Sequence, residues 1–506
     1  MPLFEELGFK SHPFLKTNAD EEDSLQSYFV PPPYFDAVVG DPASPSSSVV
    51  LAPRGAGKTA QRRMVEAAAE KGGFLAVTYD RFEFGAGQKV TDITLQYHLR
   101  NIITRVLLAF LSYLSERKDV VESLSKGEKD QLAVFVQAYL GDLTGDGIQE
   151  LLNELKSLPE KFKDFWREHV GFMESAINFL LRTYDLEKID LPDSKQEEKR
   201  LGETYKYQLE TLLGLVRKIG FQSIYVLIDR PDETEKTGND PSAAYQLIQP
   251  LIRDLELLGL KGYAFKFFLW DKVEPYYRAD ARPDRVPMYQ LTWNRPGLKS
   301  VLAKRMEAYS DGGISSFDQL LEKPCGIDDH LCLLANGSPR NLIRMCETII
   351  AVQAERDAAA RKVSLGAVDQ ATVIHGEKVF IENYGEAVLK DLQRIGRELF
   401  TTNFVANEIL KISSNGARNK ITGWANQGIV AQVGTVIAPP ATRPTHLYGV
   451  LDPCAVRIIH RAVPFEEFVQ DRWLPCEHCV TDNFIDLNLY PEGEEPLCRE
   501  CGRALV

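Results

Sequence analysis

The chain has 506 residues, of which 44% are hydrophobic and 26% charged, and its formal net charge is −13. This composition excludes a disordered or fibrous protein, and the length predicts roughly three or more domains of about 150 residues each. The negative charge excludes a surface that is basic throughout, so any nucleic-acid contact is confined to a local patch. The sequence shows no signal pattern or membrane-spanning apolar run, and its eight cysteines are too few for a disulfide scaffold, so we expect a cytoplasmic protein without a membrane partner.

Residues 1–45 are predicted to form an N-terminal arm. Periodic apolar residues are few there, and three consecutive prolines, Pro31 to Pro33, stiffen the chain before a serine-rich stretch. A run of apolar residues follows, which predicts a buried strand, and it leads directly into a glycine-rich turn.

The glycine-rich turn has the pattern of a P-loop that binds ATP or GTP. Its glycines let consecutive backbone N–H groups face one concavity, Lys58 reaches the β- and γ-phosphates, and the Thr59 hydroxyl ligates Mg²⁺. One position departs from the pattern, because Ala52 stands where the pattern has glycine. The residues predicted to hold the nucleotide in this turn are Pro53, Arg54, Gly55, Ala56, Gly57, Lys58, Thr59 and Ala60.

Downstream, apolar strands alternate with helices, which predicts an α/β fold with a parallel sheet over residues 46–297. Helical periodicity from about residue 90 to 205 predicts an inserted all-helical segment. The strand that ends at Asp229 has the form of a Walker B element, whose carboxylate holds Mg²⁺. Hydrolysis needs a second acid to orient or deprotonate water, and either Asp232 or Glu233 is close enough in sequence.

Two further units are predicted after the sheet. A helical lid covers residues 298–384, where Gly-Ser-Pro-Arg opens a helix with Arg340. Residues 385–455 show the order helix, helix, turn, helix and two β-branched runs, which is the pattern of a winged helix. Such a unit either contacts DNA or packs as a structural element that reports the nucleotide state. The candidate recognition surface consists of Arg418, Asn419, Lys420 and Trp424, with Arg443 in the wing.

Residues 470–506 are predicted to form a zinc ribbon. Cys476 and Cys479 make one Cys-x-x-Cys pair, and Cys498 and Cys501 make a second. Four thiolates at this spacing form a closed tetrahedral site for structural Zn²⁺, with no open position for catalysis. Disulfide pairing is the alternative, which a reducing compartment disfavours.

The combination of a P-loop, a strand ending in Ile-Asp-x-x-Asp-Glu, Gly-Ser-Pro-Arg at a lid helix and a winged-helix-like unit resembles the AAA+ superfamily, in its origin-recognition-like and STAND-type clades. The resemblance covers about residues 20 to 450 apart from the helical insertion. It implies that Arg340 is the sensor-two arginine, which contacts the γ-phosphate, and that Asp271 lies near sensor one. Tyr28 and Phe29 stand where these clades pack the adenine base, unless the arm simply docks on the core.

The same resemblance implies an arginine finger that completes a neighbouring subunit's site, with Arg278, Arg282 and Arg285 as candidates. It also implies an ATP-hydrolysing switch of slow turnover that oligomerises and controls a partner effector, as in bacterial antiviral defence or signalling systems. The alternative hypotheses are an ATP-dependent DNA-binding loader or initiator and a nucleotide-binding scaffold without turnover. The predicted ligands are ATP, Mg²⁺ on Thr59 and Asp229, and Zn²⁺. The predicted partners are further copies of the chain, a protein effector or trigger, and DNA through the winged helix.

Overall fold

The computed structural model describes residues 2–141, 143, 145–155, 158–164, 205–436, 444–470, 472–485 and 495–505. The chain divides into two compact units. The sheet unit comprises Pro31–Leu291, and the C-terminal unit combines Met1–Val30 with Thr292–Val506. The N-terminal part of the predicted arm therefore belongs to the same unit as the C-terminal half of the chain.

The strands of the sheet unit are β1 (Ser48–Ala52), β2 (Phe74–Tyr79), β3 (Ser223–Asp229), β4 (Tyr263–Trp270) and β5 (Met288–Gln290). They form one sheet in the order β2-β3-β4-β1-β5, and every neighbouring pair is parallel. Strands β1 to β4 consist mainly of β-branched, aromatic and other apolar residues that are buried almost throughout, as is typical of a parallel sheet covered on both faces. The predicted α/β fold class is confirmed.

The α-helices in the described part of the chain, in chain order, are α1 (Leu3–Glu6), α2 (Leu25–Tyr28), α3 (Phe35–Val39), α4 (Lys58–Gly72), α5 (Leu95–Ser115), α6 (Lys118–Ser123), α7 (Lys126–Leu140), α8 (Gly145–Glu154), α9 (Tyr205–Lys218), α10 (Pro241–Ile252), α11 (Leu255–Leu258), α12 (Glu274–Asp280), α13 (Arg295–Tyr309), α14 (Ile327–Leu334), α15 (Pro339–Arg356), α16 (Leu365–Tyr384), α17 (Glu386–Ile395), α18 (Ser414–Asn426), α19 (Pro453–Ile459) and α20 (Phe465–Gln470). None of these helices combines the length and the apolar character needed to cross a membrane.

Helices α5 to α8 pack beside the sheet and share its hydrophobic core. The longest of them, α5, buries nearly all of its side chains from Leu99 to Leu114. These helices are the described part of the insertion predicted over about residues 90 to 205. Residues 165–204 of that prediction lie outside the described residues.

The C-terminal unit contains a three-stranded antiparallel sheet formed by β6 (Leu399–Thr401), β7 (Val430–Val436) and β8 (Thr445–Val450), in the order β6-β8-β7. A π-helical segment, Phe404–Leu410, and α18 precede β7, so the order of elements agrees with the pattern interpreted as a winged helix. Trp424 is only 4% exposed and lies edge-on to Phe400, so it belongs to the core and not to a recognition surface. Arg443 lies outside the described residues.

A buried arginine on α13 holds the first segment of the chain within the C-terminal unit. Arg305 Nη2 donates to Glu22 Oε2 at 2.7 Å and to the carbonyl oxygen of Lys16 at 2.8 Å. Its Nη1 donates to the Tyr28 hydroxyl, and its Nε donates to the carbonyl oxygen of Pro13. Arg305 and Glu22 are each 2% exposed, so the pair is almost completely desolvated.

Substitution Arg305→Met should destabilise the C-terminal unit by about 3–5 kcal/mol, because it leaves the Glu22 carboxylate buried without its counter-charge. We expect a lower thermal unfolding temperature and faster proteolytic cleavage before residue 30. The matched control is Arg344→Met, which breaks an exposed salt bridge with Glu382 and should cost at most about 1 kcal/mol. Equal effects of the two substitutions would contradict the anchoring role of Arg305.

Candidate functional site

The predicted P-loop joins the end of β1 to the start of α4. Gly57 immediately precedes the helix, and its φ of 105° lies in the left-handed region that favours glycine. Lys58 Nζ donates to the carbonyl oxygens of Ala52 and Pro53 at 3.1 and 3.3 Å. Burial lowers the pKa of Lys58 from its ordinary value. Lys58 thus donates hydrogen bonds within its own loop. In a P-loop with bound nucleotide, the same ammonium group donates to phosphate oxygens.

Asp229, the predicted magnesium carboxylate, ends β3, which is separated from β1 by β4. Its Oδ2 accepts a hydrogen bond from Thr59 Oγ1 at 3.0 Å, and its Oδ1 accepts one from the backbone N–H of Arg230 at 3.0 Å. Arg230 has a φ of 60°, which is uncommon for a residue with a side chain. The Thr59 hydroxyl and the Asp229 carboxylate are hard oxygen donors in mutual contact, so the residues present fit a Mg²⁺ ion.

Arg62 is not among the residues predicted from the sequence, yet it contacts Asp229 directly. Its Nε donates to Asp229 Oδ2 at 3.0 Å, and its Nη1 donates to Glu66 Oε1, which also accepts from the Thr78 hydroxyl. Burial raises the pKa of Asp229, and the positive charge of Arg62 is the largest effect that opposes this rise. The spacing of Lys58, Arg62 and Glu66 places them on one face of α4, which is the sequence signal that could have identified Arg62.

The two acids that follow Asp229 lie in different environments. Asp232 is buried, and its Oδ2 accepts a hydrogen bond from Arg54 Nε at 3.0 Å. The Glu233 side chain is 53% exposed, and its Oε2 lies 3.5 Å from Arg230 Nε. The structure therefore protects Asp232 from solvent and leaves Glu233 at the surface.

Three further predicted residues belong to the C-terminal unit. Arg340 is exposed at the second position of α15, and its sensor-two role stays a prediction. Tyr28 is 5% exposed, and its ring centroid lies 4.9 Å from the guanidinium carbon of Arg305. This contact agrees with the alternative in which the N-terminal arm docks on the core. Phe29 follows it at the C-terminal end of α2 and is partly buried. An adenine contact by Tyr28 or Phe29 stays a prediction.

The three candidate finger arginines differ in their partners. Arg278 forms a salt bridge with Glu274 at 2.7 Å, and Arg282 forms one with Asp284 at 2.7 Å. Arg285 forms no salt bridge with a carboxylate of the described residues. It lies just before β5, at the amino ends of the parallel strands, whereas the P-loop follows the carboxyl end of β1. A finger at this position would act on another copy of the chain.

The cysteines predicted to bind zinc come together at the end of the chain. The four sulfur atoms of Cys476, Cys479, Cys498 and Cys501 lie within 4.8 Å of one another. Cys476 and Cys501 are 3.6 Å apart at sulfur, and Cys479 and Cys498 are 3.5 Å apart. A zinc tetrahedron with Zn–S bonds of about 2.3 Å has sulfur–sulfur edges of about 3.8 Å, so the donor set fits Zn²⁺. All four thiols are free, which disfavours the disulfide alternative.

The local backbone prepares these sulfurs for metal binding. The short strands β9 (Trp473–Pro475) and β10 (Asp482–Phe484) pair antiparallel and flank the first Cys-x-x-Cys pair. Burial raises the pKa of Cys498, but hydrogen bonds from the backbone N–H groups of Cys501 and Glu500 lower it, and the resulting pKa is about 6. Asn483 Nδ2 also donates to Cys498 Sγ, at 3.7 Å. A thiolate stabilised in this way is the form that ligates zinc.

The purified chain should contain one zinc ion per molecule, and Cys476→Ser should abolish it, because removal of one thiolate opens the tetrahedral site. Elemental analysis of the full chain after dialysis measures the content. The control is Cys325→Ser, which changes a partly buried cysteine outside the cluster and should leave zinc bound. A chain that retains no zinc when purified without chelator would contradict the assignment.

No protein-family model matches the chain, and no curated protein matches its sequence. Among solved structures, the chain is similar to the Orc1 protein of Aeropyrum pernix, which was solved in complex with DNA. The two share 13% sequence identity, the match covers 90% of this chain and 98% of that chain, and the TM-score is 0.35.

Proposed function

We propose that the chain binds ATP through residues 53–60 and hydrolyses it slowly, as a switch of the AAA+/STAND type. The observation that carries the proposal is the 3.0 Å contact between Thr59 Oγ1 and Asp229 Oδ2. It joins the phosphate-binding turn to the carboxylate that P-loop ATPases use to hold Mg²⁺, and the metal supplies charge neutralisation at the phosphates. Adenine is proposed over guanine because of the family resemblance and because the sequence contains no guanine-reading Asn-Lys-x-Asp motif.

The partners of the site residues support a switch more than a motor. Lys58 donates to two carbonyl oxygens of its own loop, and Arg62 compensates the charge of Asp229. Binding of a metal–nucleotide complex would exchange some of these internal contacts for contacts to phosphate and metal. The conformation of the loop would then depend on the bound nucleotide, which is the property that a switch needs.

We also propose that the chain oligomerises and controls a protein effector. Arg285 supports an oligomer, because it is the candidate finger that forms no salt bridge among the described residues and it precedes the edge strand β5. The cysteine cluster and the small antiparallel sheet of the C-terminal unit offer surfaces for an effector or trigger. A role in antiviral defence follows from the family resemblance alone.

The DNA-binding alternative has weaker support from α18. Trp424 is buried and is therefore not available as predicted, whereas Lys420 is exposed and forms a surface salt bridge with Asp391 at 2.6 Å. Arg418 and Asn419 are exposed on the same helix. Salt-dependent binding to duplex DNA that is lost on Arg418→Ala would favour a loader or initiator.

Substitution Lys58→Ala should abolish ATP hydrolysis and weaken ATP binding at least about tenfold, because it removes a charge-assisted contact to the phosphates. Asp229→Asn should retain ATP binding but lose Mg²⁺-dependent hydrolysis, since the amide is a poorer metal ligand than the carboxylate. Binding of a fluorescent ATP analogue and steady-state phosphate release by the full chain give the two quantities.

The matched control is Lys71→Ala, which removes an exposed lysine at the other end of α4 and should change neither quantity. Thermal unfolding of each variant tests whether the variant is folded. Hydrolysis that survives Lys58→Ala would refute the catalytic proposal. Tight ATP binding by the unmodified chain without measurable turnover would favour the alternative hypothesis of a nucleotide-binding scaffold.

A further inference from the structure

The side chain of Arg54, a P-loop residue, is held by groups outside the P-loop. Its Nε donates to Asp232 Oδ2 and its Nη2 donates to the carbonyl oxygen of Asp232, both at 3.0 Å. Its Nη1 donates to Asn239 Oδ1, and its guanidinium carbon lies 4.3 Å from the ring centroid of Trp270. These contacts tie the phosphate-binding turn to the loop that follows Asp229 and to the end of β4.

This arrangement occupies one oxygen of the Asp232 carboxylate and leaves the other without a donor. Asp232 is 2% exposed, and its Oδ1 is buried with no hydrogen-bond partner in the described part of the chain. Buried polar atoms in folded proteins nearly always have a partner, so an exception beside a phosphate-binding loop points to a donor that arrives with the substrate. A water molecule has two donors and fits such an acceptor.

Asp232 also acts electrostatically on the lysine of the phosphate-binding turn. Among the carboxylates that act on the Lys58 ammonium group, Asp232 has the strongest effect, followed by Asp229 and Asp271, and Glu233 has the weakest. In a P-loop the lysine reaches the β- and γ-phosphates. This order agrees with the contact between Arg54 and Asp232, which holds the Asp232 carboxylate beside the same turn.

We propose that Arg54 is a positioning residue that fixes Asp232, and that Asp232 Oδ1 accepts the proton of the water that attacks the γ-phosphate. The inference rests on the proposed ATPase function. In this step the water oxygen forms a bond to the γ-phosphorus while the bond from that phosphorus to the β,γ-bridging oxygen breaks. ADP leaves with the bonding electron pair, and the water proton passes to Asp232 and then to solvent. Because the Arg54 side chain donates to Asp232 and Asn239 and not into the turn, its removal should affect turnover more than nucleotide binding.

The test separates binding from turnover in the full chain. Arg54→Gln should lower kcat by about 10- to 100-fold, because it releases the acid from its productive geometry, while the Kd for ATP changes by less than about threefold. Arg54→Lys keeps the charge without the planar fork and should restore part of kcat. Asp232→Asn should lower kcat on the order of 100-fold or more, since it removes the proton acceptor. The control is Arg253→Gln, which breaks an Arg–Asp pair with Asp280 outside the site.

Each outcome decides between specific alternatives. An unchanged kcat in Arg54→Gln, with normal hydrolysis by the unmodified chain, would refute the positioning role alone. A rise in Kd as large as the fall in kcat/KM would show that Arg54 binds phosphate instead. Loss of turnover in Glu233→Gln but not in Asp232→Asn would reassign the acid to Glu233. Absence of ATP hydrolysis in the unmodified chain would refute both the inference and the proposed function.

Discussion

The site is organised around the need to compensate one buried carboxylate, that of Asp229 at the end of a central strand. Asp229 and Arg62 are each 0% exposed, so the Asp229 carboxylate is compensated by Arg62 and not by solvent. A buried charge that loses its partner destabilises a protein by several kcal/mol, which strongly disfavours moving α4 away from β3. Because α4 begins at the P-loop lysine, the same ion pair fixes the phosphate-binding turn relative to the predicted metal ligand.

The sequence was sufficient for the parts of the site that depend on local pattern and insufficient for those that depend on long-range pairing. The glycine-rich turn, the strand-end carboxylate and the spacing of the four C-terminal cysteines are local signals. The pairing of Arg54 with Asp232 and of Arg62 with Asp229 joins residues far apart in sequence, and no single-sequence pattern specifies such partners. The burial of Trp424 was mispredicted for a related reason, because helical spacing alone does not say which face a β-sheet covers.

The chain passes between its two units twice, after Val30 and after Leu291. Close to each of these two points, a residue of the sheet unit contacts the strand or the helix that flanks the P-loop. Leu291, the last residue of the sheet unit, donates its backbone N–H to the carbonyl oxygen of Leu51 in β1 at 2.8 Å. Near the other passage, the Tyr34 hydroxyl accepts a hydrogen bond from Gln61 Nε2 on α4 at 3.3 Å. The covalent links between the units are thus attached to the strand and the helix that flank the phosphate-binding turn.

This attachment gives the proposed switch a physical basis. A ligand shifts a conformational equilibrium only by the difference in its contacts with the two states. Lys58 holds the loop carbonyls as internal acceptors, so a triphosphate that draws this side chain away changes the contacts of the turn itself. Because the turn joins β1 to α4, a change in its contacts acts first on this strand and this helix, which also contact Leu291 and Tyr34. The proposed switch would then involve the turn and its hydrogen bonds, while the Arg62–Asp229 ion pair keeps α4 on β3.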